Sequence, residues 1–113
     1  MRLYDGQESI LIKCVYLLRK RSEMSDEQFF RYWIDKHAAL AKDLPGLRKY
    51  VINRAITTDN QTPDYDGFAE LWFDSHELAK AAFASSIGRL VEDDARNFMA
   101  EEVSLVVAEH VIL

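Results

Sequence analysis

His37 is the residue in this chain best placed to do chemistry. At about 100° per residue, Phe29, Leu40, Trp33, Leu44, His37, Phe30 and Ala41 fall in that order across one face of a helix. That apolar face looks inward, and a buried imidazole without a partner is costly. His37 therefore needs a hydrogen-bond partner or a ligand, and a pocket is expected beside it. Trp33 lies one turn earlier on the same stripe, and Tyr50 opens the strand that the helix feeds. An imidazole and a phenol facing each other across a helix–sheet cleft would form an acid–base pair. The plainer reading stays beside it: a core histidine donating one N–H to a carbonyl.

Other side chains join His37 as candidates. Alternation in the last predicted strand puts Ser104, Val106, Ala108, His110 and Ile112 on one face, so His110 could line the same cavity or be a frayed terminal residue. Glu70 sits between Phe68 and Trp72 on one strand parity. A carboxylate on an aromatic face could have a raised pKa, and the alternative is an ion pair with Arg48, Lys49 or Arg54 on the neighbouring strand. Tyr16, Trp33, Trp72 and Phe98 are pocket or core aromatics. His76, between Ser75 and Glu77, reads as solvated, and Cys14 as a small hydrophobe in a strand. The three histidines and one cysteine have no metal-binding spacing, and the four glycines are isolated, so neither a metal site nor a phosphate loop is expected.

The elements that must position these residues follow from pattern. Ile10 to Leu18, ILIKCVYLL, is a nearly continuous apolar run and reads as a buried strand. Ser25 caps the first helix, Gln28 completes a capping box, and Met24 and Phe29 take the staple positions. Pro45 and Gly46 end that helix. Leu47 to Ile56 is a second strand, Thr57 to Asp66 a turn-rich loop, and Gly67 to Phe73 a third strand. Asp74 is expected to cap a helix over about Ser75 to Ala84, with a further helical piece after Gly88 to about Ala100. Val103 to Leu113 is the closing strand. The order β-α-β-β-α-β is the ferredoxin-like split βαβ unit, an α+β fold with a four-stranded antiparallel sheet and helices on one face. The other face would be bare in a monomer and too apolar for water, so a homodimer packed sheet to sheet is expected.

Bulk properties narrow the function classes. The 113 residues suit one domain, placed at 10–113, after a flexible segment over 1–9. The net charge of −5, with no basic run beyond Arg19-Lys20-Arg21, argues against a nucleic-acid footprint. Met1 to Ser9 lacks a signal-peptide layout, and no apolar run is long enough for a membrane helix. A single cysteine fits a reducing cytoplasm.

The pattern FFRYWIDKHAALAKDLPGLRKY, followed by Ala69-Glu70-Leu71-Trp72-Phe73-Asp74 and the ending Glu109-His110-Val111-Ile112, resembles the EthD family of dimeric α+β barrels. The resemblance spans about residues 10 to 113. The wider superfamily includes muconolactone and methylmuconolactone isomerases, aromatic polyketide cyclases and cofactor-free monooxygenases. Methylmuconolactone isomerases carry a catalytic histidine on the first helix and a tyrosine just after the Gly-Leu turn, which correspond to His37 and Tyr50. The resemblance thus implies proton transfer next to a carbonyl on a small-molecule substrate, without metal or organic cofactor. Desolvation by Phe29 and Trp33 would lower the pKa of His37 and keep it a neutral base. Tyr50 could polarise an oxygen or stabilise enolate-like charge. Three functions stay open: an isomerase, lyase or cyclase; a cofactor-free monooxygenase; and a ligand-binding accessory barrel without turnover.

Overall fold

A computed structural model describes residues 11–113. The flexible segment expected over 1–9 and a strand start at Ile10 lie outside the described residues. The elements are β1 (Ile12–Lys20), α1 (Asp26–Tyr32), a π-helical turn (Trp33–His37), α2 (Ala38–Ala41), β2 (Lys49–Arg54), β3 (Gly67–Phe73), α3 (His76–Ala84), α4 (Ser86–Ala95) and β4 (Met99–Ala108). The strands form one antiparallel sheet in the order β2-β3-β1-β4. This is the ferredoxin-like βαββαβ arrangement read from the sequence. Among the described residues no helix is long and apolar enough to cross a membrane.

Register assigns each side chain to a face. Cys14 pairs with Leu71, Tyr16 with Ala69, Tyr50 with Leu71 and Ile52 with Ala69, so these point together toward the helices. Val15, Leu17, Val51, Phe68, Trp72, Val103, Leu105 and Val107 take the opposite parity. Among the described residues no helix covers that second face, and Leu105 is 56% exposed on it.

The first helix begins as its sequence dictates. The Gln28 backbone N–H donates to Ser25 Oγ (3.1 Å), and the Ser25 N–H donates to the Gln28 side chain (2.9 Å). Its interior departs from a plain α-helix. Phe29, Trp33, His37 and Ala41 are all buried, spaced four apart. Three steps of four overshoot a straight α-helical stripe by about 120° in total. The π turn absorbs that drift: the Ala38 N–H reaches back five residues to the Trp33 carbonyl. Backbone angles stay right-handed helical across Tyr32, Trp33, His37 and Ala38, so α1, the π turn and α2 run on as one rod. Gly46, at φ 79°, makes the turn into β2. Phe29, Trp33, Phe73, Phe98 and Leu18 are the largest fully buried side chains of the core that the rod and sheet share with the other helices. At about 1.5–3 kcal/mol for each such side chain, this packing dominates the seat of the helix.

The second half corrects three expectations. The cap of α3 is Ser75, whose Oγ accepts from the Leu78 N–H (3.1 Å), and not Asp74. The Asp74 carboxylate is instead engaged by the Arg48 guanidinium at 3.0 Å. The following helix begins before Gly88 and ends at Ala95, because Ser85 caps it through the Gly88 N–H. Tight turns at Asn97 and Phe98 then swing the chain into β4. Finally β4 covers Met99–Ala108 and does not reach the end of the chain. Its ladder follows β1, and Ala108 lies opposite Ile12, the first residue of that strand. Beyond this point Glu109 to Leu113 have no strand to pair with among the described residues.

Candidate active site

A cavity of about 300 Å³ lies between the helices and the sheet. The rod supplies Trp33, His37 and Ala41; β1 supplies Tyr16; β2 supplies Tyr50; α4 and β4 supply Glu92 and Glu102. Small residues make the room, since Ala41, Ala69 and Ala95 all line it. Trp33 is seated against the sheet at Gly67, where a Cβ would come within 2.9 Å of the indole ring.

His37 is 7% exposed and held on two sides. Its Nδ1 lies 2.9 Å from Asp94 Oδ2. The Phe98 ring packs on the imidazole at 4.8 Å between centroids. Asp94 is fixed in turn, its Oδ1 accepting from the Tyr32 hydroxyl (2.5 Å) and the Asn97 amide (3.1 Å). Burial pushes the Asp94 carboxyl up, but hydrogen bonds from Tyr32, His37 and Asn97 outweigh it and hold the group below the usual carboxylate range. An ionised carboxylate only accepts, so the Nδ1 of His37 carries the proton. Burial pulls the imidazole below its ordinary pKa, while Asp94 pulls it the other way. The result is a neutral imidazole oriented by a carboxylate, with Nε2 unpartnered among the described residues. A lone pair on a cavity wall, fixed in one tautomer, can take a proton near neutral pH.

Tyr50 faces the helices from β2, and burial pushes its phenol up to about 12, with Trp33 acting in the opposite sense. Its O–H therefore stays protonated and can donate to an oxygen. Burial likewise pushes Tyr16 up, with Cys14, Glu102 and Glu92 adding to it.

Of the residues singled out in the sequence, the structure brings His37, Tyr50, Tyr16 and Trp33 to one cavity. Phe98 is fully buried behind His37 and props its ring without lining the cavity. Glu70 and Trp72 point to the opposite face of the sheet, since they share strand parity with Phe68 while the cavity takes Ala69 and Leu71. Glu70 is paired there with Lys13 (2.9 Å) and takes a hydrogen bond from Asn53 (3.0 Å). Burial pushes its carboxyl up, but Lys13 and Asn53 bring it below the ordinary range, so the raised pKa considered for it is not found. The partner is Lys13 of β1, not Arg48, Lys49 or Arg54. Trp72 lies beneath Lys13 and Lys49 and donates to Glu109 at 3.4 Å. His110 follows the end of β4, exposed and away from the cavity, so the alternation that placed it on the cavity face does not reach it. Among the described residues no group of three or more histidine, cysteine or acidic side chains could hold a metal ion.

Asp94, Tyr32, Glu92 and Glu102 escaped the sequence reading. Asp94 did leave a trace, lying three residues after buried Val91, one turn on along the inward stripe of α4. Read as the His37 stripe was, that spacing marks an inward carboxylate.

Comparison with known proteins gives this site a context. The EthD domain matches residues 21–102. The 4-carboxymethyl-4-methylbutenolide mutase of Pseudomonas reinekei is 29% identical over 106 residues, covering 88% of this chain and 98% of the mutase. Among solved structures, an EthD family protein from Bacillus halodurans superimposes with a TM-score of 0.79 at 20% identity, covering 89% of this chain and all of that one (100%). A dimeric ferredoxin-like protein of unknown function from Thermobifida fusca gives 0.72 at 16% identity, covering 90% and 93%. SnoaB, a cofactor-independent oxygenase from Streptomyces nogalater, gives 0.68 at 14%, covering 91% and 96%.

Proposed function

The chain belongs to the EthD domain family, and on that premise we propose that it is a small-molecule enzyme that moves a proton on a carbonyl-bearing or lactone substrate. The observation that carries this reading is the His37–Asp94 contact at 2.9 Å, which leaves the second ring nitrogen to the cavity. His37 Nε2 takes a proton from the carbon beside the carbonyl. The Tyr50 hydroxyl donates to the carbonyl oxygen, which gains negative charge as the enolate forms. The imidazolium, stabilised by Asp94, returns the proton to a different carbon, and the net change is an isomerisation. Every group used is a side chain, so the reaction asks for no metal or organic cofactor.

The mutase relative supports this reading, since its name describes a rearrangement of a butenolide, an unsaturated lactone. We further propose a homodimer through the apolar open face of the sheet, in keeping with the dimeric structural neighbour, and a cytoplasmic setting in which buried Cys14 stays reduced. The test is a screen of lactones, enolisable ketones and phenols for turnover and for hydrogen–deuterium exchange in D₂O. Wild type is compared with His37→Ala and Tyr50→Phe. Loss of exchange in His37→Ala with the fold intact is the expected result, and equal rates in all three would sink the assignment. Oxygen consumption during turnover would instead favour the oxygenase chemistry of the Streptomyces neighbour.

A further inference from the structure

One wall of the cavity is acidic. Glu92 of α4 and Glu102 of β4 both line it, and both also line an adjoining crevice with Cys14, Ser104 and Val106. His37, Trp33 and Tyr50 line the cavity alone, so the two carboxyls stand on the side that leads to the crevice. Register fixes Glu102 there, because it lies opposite Leu18, another cavity residue, on the helix-facing parity.

We infer that this site takes an uncharged substrate, a lactone, ketone or phenol without a carboxylate, and that Glu92 and Glu102 set that selectivity. The inference rests on the reading of this cavity as the site where His37 acts. Both glutamates are exposed, and a carboxylate-bearing molecule would meet two like charges on its way from the crevice into a largely apolar cavity. The described residues that line the cavity include neither lysine nor arginine to offset them. Lys80 and His76 line the adjoining crevice with the two acids but not the cavity, while Lys13 pairs with Glu70 on the far face of the sheet, Arg19 with Glu101, and Arg48 with Asp74. The crowding of the two acids also registers on Glu102 itself, whose carboxyl is pushed above its ordinary range by burial and then by Glu92. The mutase relative, by its name, handles a butenolide with a carboxymethyl group. This chain therefore differs from it in the charge it admits.

Two probes that differ in that charge test the idea: γ-methylbutenolide and γ-carboxymethylbutenolide. Binding is followed by calorimetry, and proton exchange by NMR in D₂O. Wild type should favour the neutral probe by at least about tenfold in both readouts, equivalent to about 1.4 kcal/mol. Glu102→Gln and the Glu92→Gln/Glu102→Gln double variant should shift the ratio toward the anion by about tenfold. Equal or better handling of the anion by wild type overturns the inference, as does a ratio that neither variant moves. His37→Ala separates this inference from the proposed function, because it should abolish exchange of both probes while leaving their order of binding unchanged. If wild type exchanges neither probe, the proton-transfer reading fails for these lactones, and the binding ratio alone decides. Failure to bind either probe overturns the inference.

Discussion

His37 Nδ1 and Asp94 Oδ2 lie 2.9 Å apart, joining the middle of the first helical rod to the last turn of α4 across 57 residues of sequence. The contact fixes one tautomer and reserves one nitrogen for the cavity. Asp94→Asn should lower kcat by about 10²-fold, at the lower end of what a positioned general base contributes, with KM little changed. Tyr32→Phe removes only one donor to Asp94 and should have a smaller effect. Steady-state kinetics on a screened substrate checks both, and an unchanged kcat in Asp94→Asn removes the carboxylate from the mechanism.

The pH dependence follows from the lowered pKa of His37. The base works when neutral, so kcat/KM should be flat near neutral pH and fall as pH drops through a value below the ordinary 6.5. Asp94 favours the protonated imidazole, so Asp94→Asn should move this acid limb lower still. Stability has the same sign. A folded pKa below the unfolded one means the contribution is complete above the unfolded value and is lost as pH falls through the folded one. A rate limb centred above 6.5 would contradict this account.

Gly67→Ala tests the seat of Trp33. The new Cβ would lie 2.4 Å from the Asn53 carbonyl oxygen and 2.9 Å from the indole ring. Overpacking of this kind costs about 1–3 kcal/mol. A melting temperature lower by several degrees, with reduced binding in the cavity that Trp33 lines, is the expected outcome of thermal unfolding and ligand titration.

The open face of the sheet predicts assembly. Phe68 (37% exposed), Val103 (40%) and Leu105 (56%) cluster there with Leu17 and Val107. Leu105→Asp would place a charge in the middle of a sheet-to-sheet contact and should convert a dimer to a monomer in sedimentation velocity. A wild-type monomer at micromolar concentration would rule the dimer out.

How much of this was legible in the sequence depended on the distance over which each feature is decided. The Ser25–Gln28 cap, the His37 stripe and the β-α-β-β-α-β succession of elements are local patterns, and they were readable. The ends of β4 were not, because its length is set by β1 some ninety residues earlier; His110 was misplaced for that reason. Asp94 meets His37 only through packing of two helices that the sequence does not order relative to one another. Glu70 was read in the right kind of interaction with the wrong partner, since alternation gives the face of a strand but not which neighbour reaches across.

The π turn has a consequence for how the site can be lost. The rod holds one more residue than a straight helix needs, and Ile34, on its outside, is 52% exposed. Deleting Ile34 would let the rod close into a plain α-helix, with Trp33 and His37 three residues apart and about 60° off one stripe. The proposed site is therefore counted out along the chain as much as it is spelled by residue type. The length between Phe29 and Ala41 thus acts beside residue type, and a one-residue deletion probes it where substitutions do not.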